Sequence, residues 1–169
     1  MEAAKLIAEL ARGGEMIAIL GQGFSPEEAR QRPAEGAWCL LEVLGHLLEE
    51  ERHDFRPRLR AALLGLTEPL PPLDTQAALT AGNYLEQRAE ALLAQFLNER
   101  QRTIAWLETM GEVTWDGVYQ AGFGPLRAGD ILASWVAHDT LHLRQLVELR
   151  YARLRALAAP YAIDYAGEW

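Results

Sequence analysis

The chain is poor in several things, and each scarcity excludes something. It has a single cysteine, Cys39, so no disulfide can form within it. That fits a reducing, cytoplasmic setting. No stretch approaches the ~18 apolar residues of a membrane span. The N-terminal MEAAKLIAELARGGEMIAIL carries Glu2, Glu9 and Glu15 and no uninterrupted apolar core, so it does not read as a signal peptide. Lys5 is the only lysine, and the other cationic side chains are arginines, a usage that goes with GC-rich coding. No basic cluster is interleaved with aromatics, and the formal net charge is -8. Nucleic acid and anionic membrane surfaces need a basic face, so neither is an expected partner.

What is present describes an ordinary globular chain. Its 169 residues are half apolar and about a quarter charged, enough for one domain over residues 1–169 with a substantial core. Hydrophobic periodicity marks four long helices. The first spans about 3–20 and stops at Gly21 and Gly23. SPEE then reads as a short helix start, with Ser25 and Glu28 as a capping box and Pro26 at the first position. The second spans about 38–64, with Pro57 predicting a kink or break inside it. LTEPLPPLDT reads as a loop, after which Asp74 or Thr75 caps a short helix.

The third long helix is expected over about 82–110, with Leu85, Ala89, Leu92, Phe96 and Leu107 on or near its buried side. The fourth is expected over about 128–158, with a seam of Ile131, Trp135, His138, His142, Gln145 and Leu149. Four amphipathic helices make an all-α fold, a four-helix bundle with long connections near 65–80 and 111–127. The second connection carries Trp115, Tyr119 and Phe123 among glycines and reads as a short hairpin or a lid. Its aromatics serve packing on the bundle end or contact with a substrate.

The histidines carry the chemistry. His138 and His142 stand where a bundle wants leucine, one turn apart and ~6 Å from each other. A lone seam histidine reads as a core residue satisfied by hydrogen bonds. Two at this spacing bring four ring nitrogens, and one metal ion satisfies one on each ring. A metal site needs a third ligand. The second helix supplies His46, in its most apolar stretch. His53 shares that face but lies ~10 Å further along the axis, so it reads as a surface residue or a support behind the ligands. Glu50, one turn after His46, is the candidate catalytic acid–base, although a run of three acids is more often a solvated face. Asp139 points about 100° away from His138, so HDTLH is not read as a protease motif. Cys39 reads as a small core residue, and Trp38 and Trp135 as core beside the site.

The segments AWCLLEVLGHLLEEE and WVAHDTLHLRQL together resemble the DinB-like superfamily, meaning the damage-inducible family of Bacillus type and not the DNA polymerase of that name. Trp38, Glu42, Leu44, His46, Leu47, His138 and His142 match its pattern. The ending PYAIDYAGEW also looks like tails of some members. The resemblance implies a bundle, often a homodimer, whose three histidines bind one divalent ion, usually zinc or nickel, with water completing the shell. It also implies thiol chemistry with bacillithiol, mycothiol or glutathione as cosubstrate, since characterised members include thiol-dependent transferases and isomerases. The expectation is therefore a metal-dependent S-transferase acting on a small electrophile. The alternatives are a hydrolase using metal-bound water and a non-catalytic metal-binding stress-response protein.

Overall fold

The computed structural model describes residues 1–168. Its helices are α1 (Ala3–Gly21), α2 (Leu40–Glu49), α3 (Phe55–Leu64), α4 (Thr75–Ala81), α5 (Ala89–Thr109) and α6 (Ala128–Ala158), with strands β1 (Val118–Ala121) and β2 (Gly124–Arg127). The bundle consists of α1, the α2–α3 rod, α5 and α6. Helix α1 packs against both α5 and α6, α2 against α5, and α3 against α6. Only a narrow seam joins α2 to α6, and the histidines lie along it. Among the described residues no helix is long and apolar enough to cross a membrane.

The second rod is continuous from Leu40 to Leu64, but not in the way Pro57 predicts. Its irregularity falls earlier, in a π turn over Glu50–Asp54, where Asp54 has φ -122 and ψ -78. Pro57 has no N–H, and its ring crowds the carbonyl four residues back, that of His53. The backbone therefore leaves the α form in the turn that ends there. Pro57 itself sits in the first turn of α3, where a missing donor costs little.

The third helix also departs from expectation. It begins at Ala89, seven residues later than its sequence pattern suggests. Asn83 takes a left-handed conformation at φ 48, and a short 3-10 turn covers Tyr84–Glu86. The Tyr84 ring lies against α2 at Gly45, where a Cβ would meet ring carbons at 2.6 Å. This docking breaks the helix and leaves Leu85 42% exposed rather than buried. Asp74 caps α4 as expected, its Oδ1 accepting from the Ala77 N–H at 2.9 Å. Ser25 and Glu28 form their reciprocal capping bonds, though only a 3-10 turn follows.

The 111–127 connection forms a hairpin pairing Tyr119 with Leu126. Tyr119 is buried, and its hydroxyl accepts from the Leu70 N–H at 2.6 Å, fastening the 65–74 loop to the hairpin. Trp115 packs on the same core, whereas Phe123 at the tip is 76% exposed. Tyr161 and Tyr165 are also exposed and do not cover the bundle, and Trp169 lies outside the described residues.

Two apolar clusters make the core. One gathers Ile17, Leu44, Leu48, Leu92, Phe96 and Leu146. The other gathers Leu10, Leu59, Leu107, Leu132, Trp135 and Tyr119. Each buried leucine contributes about 2 kcal/mol over leaving it exposed. Along every bundle helix a polar or glycine step separates the clusters: Gly13 and Gly14 on α1, Glu51 in the π turn, Arg100 and Thr103 on α5, Asp139 on α6.

Candidate metal centre

The start of α2 is fixed by its own motif. The Cys39 N–H donates to Glu42 Oε2 at 2.9 Å, and the buried Cys39 side chain closes the reciprocal cap. Burial raises the Cys39 pKa, so the thiol is an inert core group. Arg32 pairs with the other oxygen of Glu42. Thus Glu42 belongs to the helix cap, and Trp38 just before it packs edge-on to His46 at 5.0 Å and parallel to His142 at 6.4 Å.

His46, His138 and His142 converge. His138 Nε2 is 3.1 Å from His46 Nε2 and 3.1 Å from His142 Nε2. One donor atom from each ring falls in a group no more than 4.8 Å across. Gln145 Oε1 lies 2.9 Å from His142 Nδ1; an oxygen only accepts, so that nitrogen carries the proton and Nε2 turns a lone pair into the cluster. Burial pushes the His46 pKa down to about 4, helped by His142. Burial, then His142, His46 and Arg100, push His138 to about 3. His142 is lowered too, chiefly by burial. All three rings are neutral at pH 7, the form that ligates a metal. Phe55 lies 5.1 Å from the His138 ring, whereas Trp38 lies against the rings of His46 and His142.

Glu50 lies beside the cluster, its Oε1 3.7 Å from His46 Nδ1. Burial raises its pKa to about 7; the negative charge of Asp54 adds to the rise and Arg58 opposes it. His53 is exposed, 3.7 Å from Glu49 and apart from the cluster.

The run of acids is not a solvated face. The π turn sends its members three ways: Glu49 accepts from the Tyr84 hydroxyl, Glu50 borders the histidines, and Glu51 is fully buried against Arg100. Sequence reasoning missed this last group. Arg100 Nε donates to Glu51 at 3.0 Å, its Nη atoms grip Asp139 bidentately, and Nη1 also donates to the Leu10 carbonyl at 2.7 Å. Burial disfavours the guanidinium's charge, but Glu51 and Asp139 outweigh it and raise its pKa. Asp139 therefore serves the core, next in sequence to a histidine of the cluster. The signal was available: Arg100 continues the Leu92–Phe96 stripe inward, and a Gly13–Gly14 pair inside a helix makes room. A Cβ at Gly13 would stand 2.6 Å from Asp139 Oδ2.

Fold and site define a class: a four-helix bundle with a three-histidine cluster on the seam between its second and last long helices. The chain belongs to the DinB superfamily, whose profile matches residues 9–146. Among solved structures it is similar to YfiT from Bacillus subtilis, described as a probable metal-dependent hydrolase with an unusual four-helix bundle topology. That match has a TM-score of 0.78 and 17% identity, covering 88% of this chain and 85% of the other. It is also similar to the mycothiol-dependent maleylpyruvate isomerase, with a TM-score of 0.70 and 15% identity over 94% of this chain and 69% of the other. No curated protein matches the sequence.

Proposed function

We propose that His46, His138 and His142 hold one divalent ion, and that the protein is a metal-dependent enzyme activating a low-molecular-weight thiol for transfer to a small electrophile. The observation that carries this reading is the convergence of three neutral imidazoles, with His138 Nε2 3.1 Å from the Nε2 atoms of both His46 and His142 and one donor from each ring within 4.8 Å of the others. Nitrogens ~2.0–2.1 Å from a tetrahedral ion lie ~3.3 Å apart, so the donor set fits. Imidazole ligands suit zinc and nickel, the two ions expected. When bound, such an ion supplies Lewis acidity that lowers the pKa of a thiol or water at an open position.

The chain's own residues do the rest. Gln145 orients His142 through its Nδ1–H, as second-layer acceptors do for metal-ligating histidines. Trp38 and Phe55 wall the cluster and restrict water. Glu50 is the candidate acid–base, to take the nucleophile's proton and return it to the leaving group; its carboxyl beside the His46 ring and its raised pKa support that reading. Bacillithiol, mycothiol and glutathione are the candidate thiols, and the mycothiol-dependent relative in fold supports trying mycothiol first.

Hydrolysis is the second reading. It is favoured by a half-buried carboxyl beside the histidines and by the likeness to a probable hydrolase. The third, a non-catalytic metal-binding stress-response protein, predicts a bound ion with no open position. The first test is metal content by elemental mass spectrometry for wild type and His142→Ala. About one ion per chain, lost in the variant, supports the site; none in either, even after reconstitution, overturns it. Conjugation of the three thiols and a hydrolase panel, each with Glu50→Gln, then separate the readings. Thiol conjugation lost in the variant favours the first, ester or amide cleavage lost in the variant the second.

A further inference from the structure

Helix α3 has a second working face. Phe55 and Arg58 point toward His138 and Tyr119 respectively. Arg56 and Arg60 instead line a separate cavity of 320 Å³, walled by Leu66, Leu70 and Trp106, with Glu68 at its lining. That volume lies within the range of small-molecule sites. None of the three histidines lines it.

The lining of this cavity carries a cationic excess in an otherwise acidic chain. Glu99 is shared by three cations: Arg56 at 2.8 Å, Arg102 at 3.1 Å and Arg52 at 3.5 Å. Arg60 is exposed and makes no ion pair or hydrogen bond among the described residues. Of the charged side chains that line the cavity, two are guanidiniums, Arg56 and Arg60, and one is a carboxylate, Glu68. A free guanidinium fork beside a cavity of mainly apolar side chains with one indole wall is complementary to an anion carrying a flat or aliphatic body.

We infer that this cavity is a binding site for a small monocarboxylate with an apolar body. The carboxylate meets Arg60, with Arg56 behind it, and the body lies against Trp106, Leu66 and Leu70. The site is independent of the histidine cluster, though its wall is the loop that Tyr119 and Arg58 hold through the Leu70 N–H and the Pro71 carbonyl.

Isothermal titration calorimetry on the purified full chain tests this with 3-phenylpropionate, octanoate and the neutral 3-phenylpropanol. At least one carboxylate is expected to bind once per chain. Arg60→Gln is expected to weaken it about tenfold, the value of one charge-assisted hydrogen bond, and the alcohol to bind weaker by a similar factor. Arg60 has no partner to lose, so the thermal midpoint of the variant should match wild type. His142→Ala should bind the carboxylate like wild type, whatever becomes of its metal. Failure of both carboxylates to bind overturns the proposal, as does wild-type affinity in Arg60→Gln or equal binding of the alcohol. Loss of binding in His142→Ala also overturns it, by placing the ligand at the histidines.

Discussion

Two polar clusters sit inside this bundle, joined through consecutive residues of α6, and they solve burial in opposite ways. Arg100 finds two carboxylates and a main-chain carbonyl for its donors, although Glu51 Oε1 and Thr103 Oγ1 beside it are buried without a hydrogen-bond partner. The Nε2 atoms of the histidines face one another, while His46 Nδ1 and His138 Nδ1 are buried without a hydrogen-bond partner. Buried polar groups are ordinarily paired; the chain gives Arg100 counter-charges of its own, whereas it offers the facing Nε2 atoms of the histidines only one another. The first makes architecture; the second makes chemistry possible.

The largest effect should come from breaking the charged cluster. Arg100→Met leaves Glu51 and Asp139 buried without their cation and should cost about 3–5 kcal/mol, read from urea unfolding. Making all three positions apolar should recover most of that loss, which would show that the cost lies in the orphaned charges. The histidine cluster should respond to metal instead. With free ion at 100 times its Kd, wild type should gain about 2.7 kcal/mol and His142→Ala none. Equal gains in both proteins would place the ion elsewhere.

A subtler probe is Gly13→Ala. Alanine normally favours a helix over glycine, but here its methyl meets an Asp139 oxygen that Arg100 holds in place. A net loss of about 1–3 kcal/mol is expected, and a gain would mean the cluster is looser than its contacts suggest.

Acid should separate the clusters further in the metal-free protein. The unfolded histidines titrate near 6.5, whereas His46 and His138 stay neutral in the fold down to about 4 and about 3. Between those values the unfolded state binds more protons, so stability falls as pH drops from about 6.5 toward about 4. Glu50 works the other way. Its folded pKa of about 7 lies above the ordinary 4.5, so it adds stability below 4.5 that is lost as pH rises through 7. Glu50→Gln should therefore steepen the acid loss, measured as denaturation midpoints in chelator. Smallest of all, His53→Ala should change stability by no more than about 0.5 kcal/mol and leave metal content untouched.

The two clusters also differ in how far the sequence disclosed them. His138 and His142 announced themselves because imidazoles four apart on an apolar seam are rare, and His46 stood alone in a leucine-rich stretch. The bundle followed from periodicity, and the ends of α6 fall at the expected residues. Arg100 stayed hidden because an arginine followed by Gln101 and Arg102 looks like a wet face, and its partners lie 49 and 39 residues away. The π turn was hidden as well: Pro57 signalled a disturbance at its own position, whereas the backbone yields in the turn before it, which sends Glu49, Glu50 and Glu51 to Tyr84, the histidines and Arg100. The late start of α5 depended likewise on a tyrosine docking against a glycine of another helix.

The π turn has one more consequence. A turn closed from i to i+5 holds one residue more than a turn closed from i to i+4. Upstream of it the rod is keyed to α6 through His46, and downstream to the hairpin through Arg58 and Tyr119. Deleting a single residue such as Arg52 would let the rod become plain α-helix with both halves facing as they do now, whereas straightening the turn with every residue kept would turn one half about 100° against the other. The extra residue therefore works like a frameshift written into the helix: sequences on either side can be compared in register with an uninterrupted helix, but only across a one-residue gap.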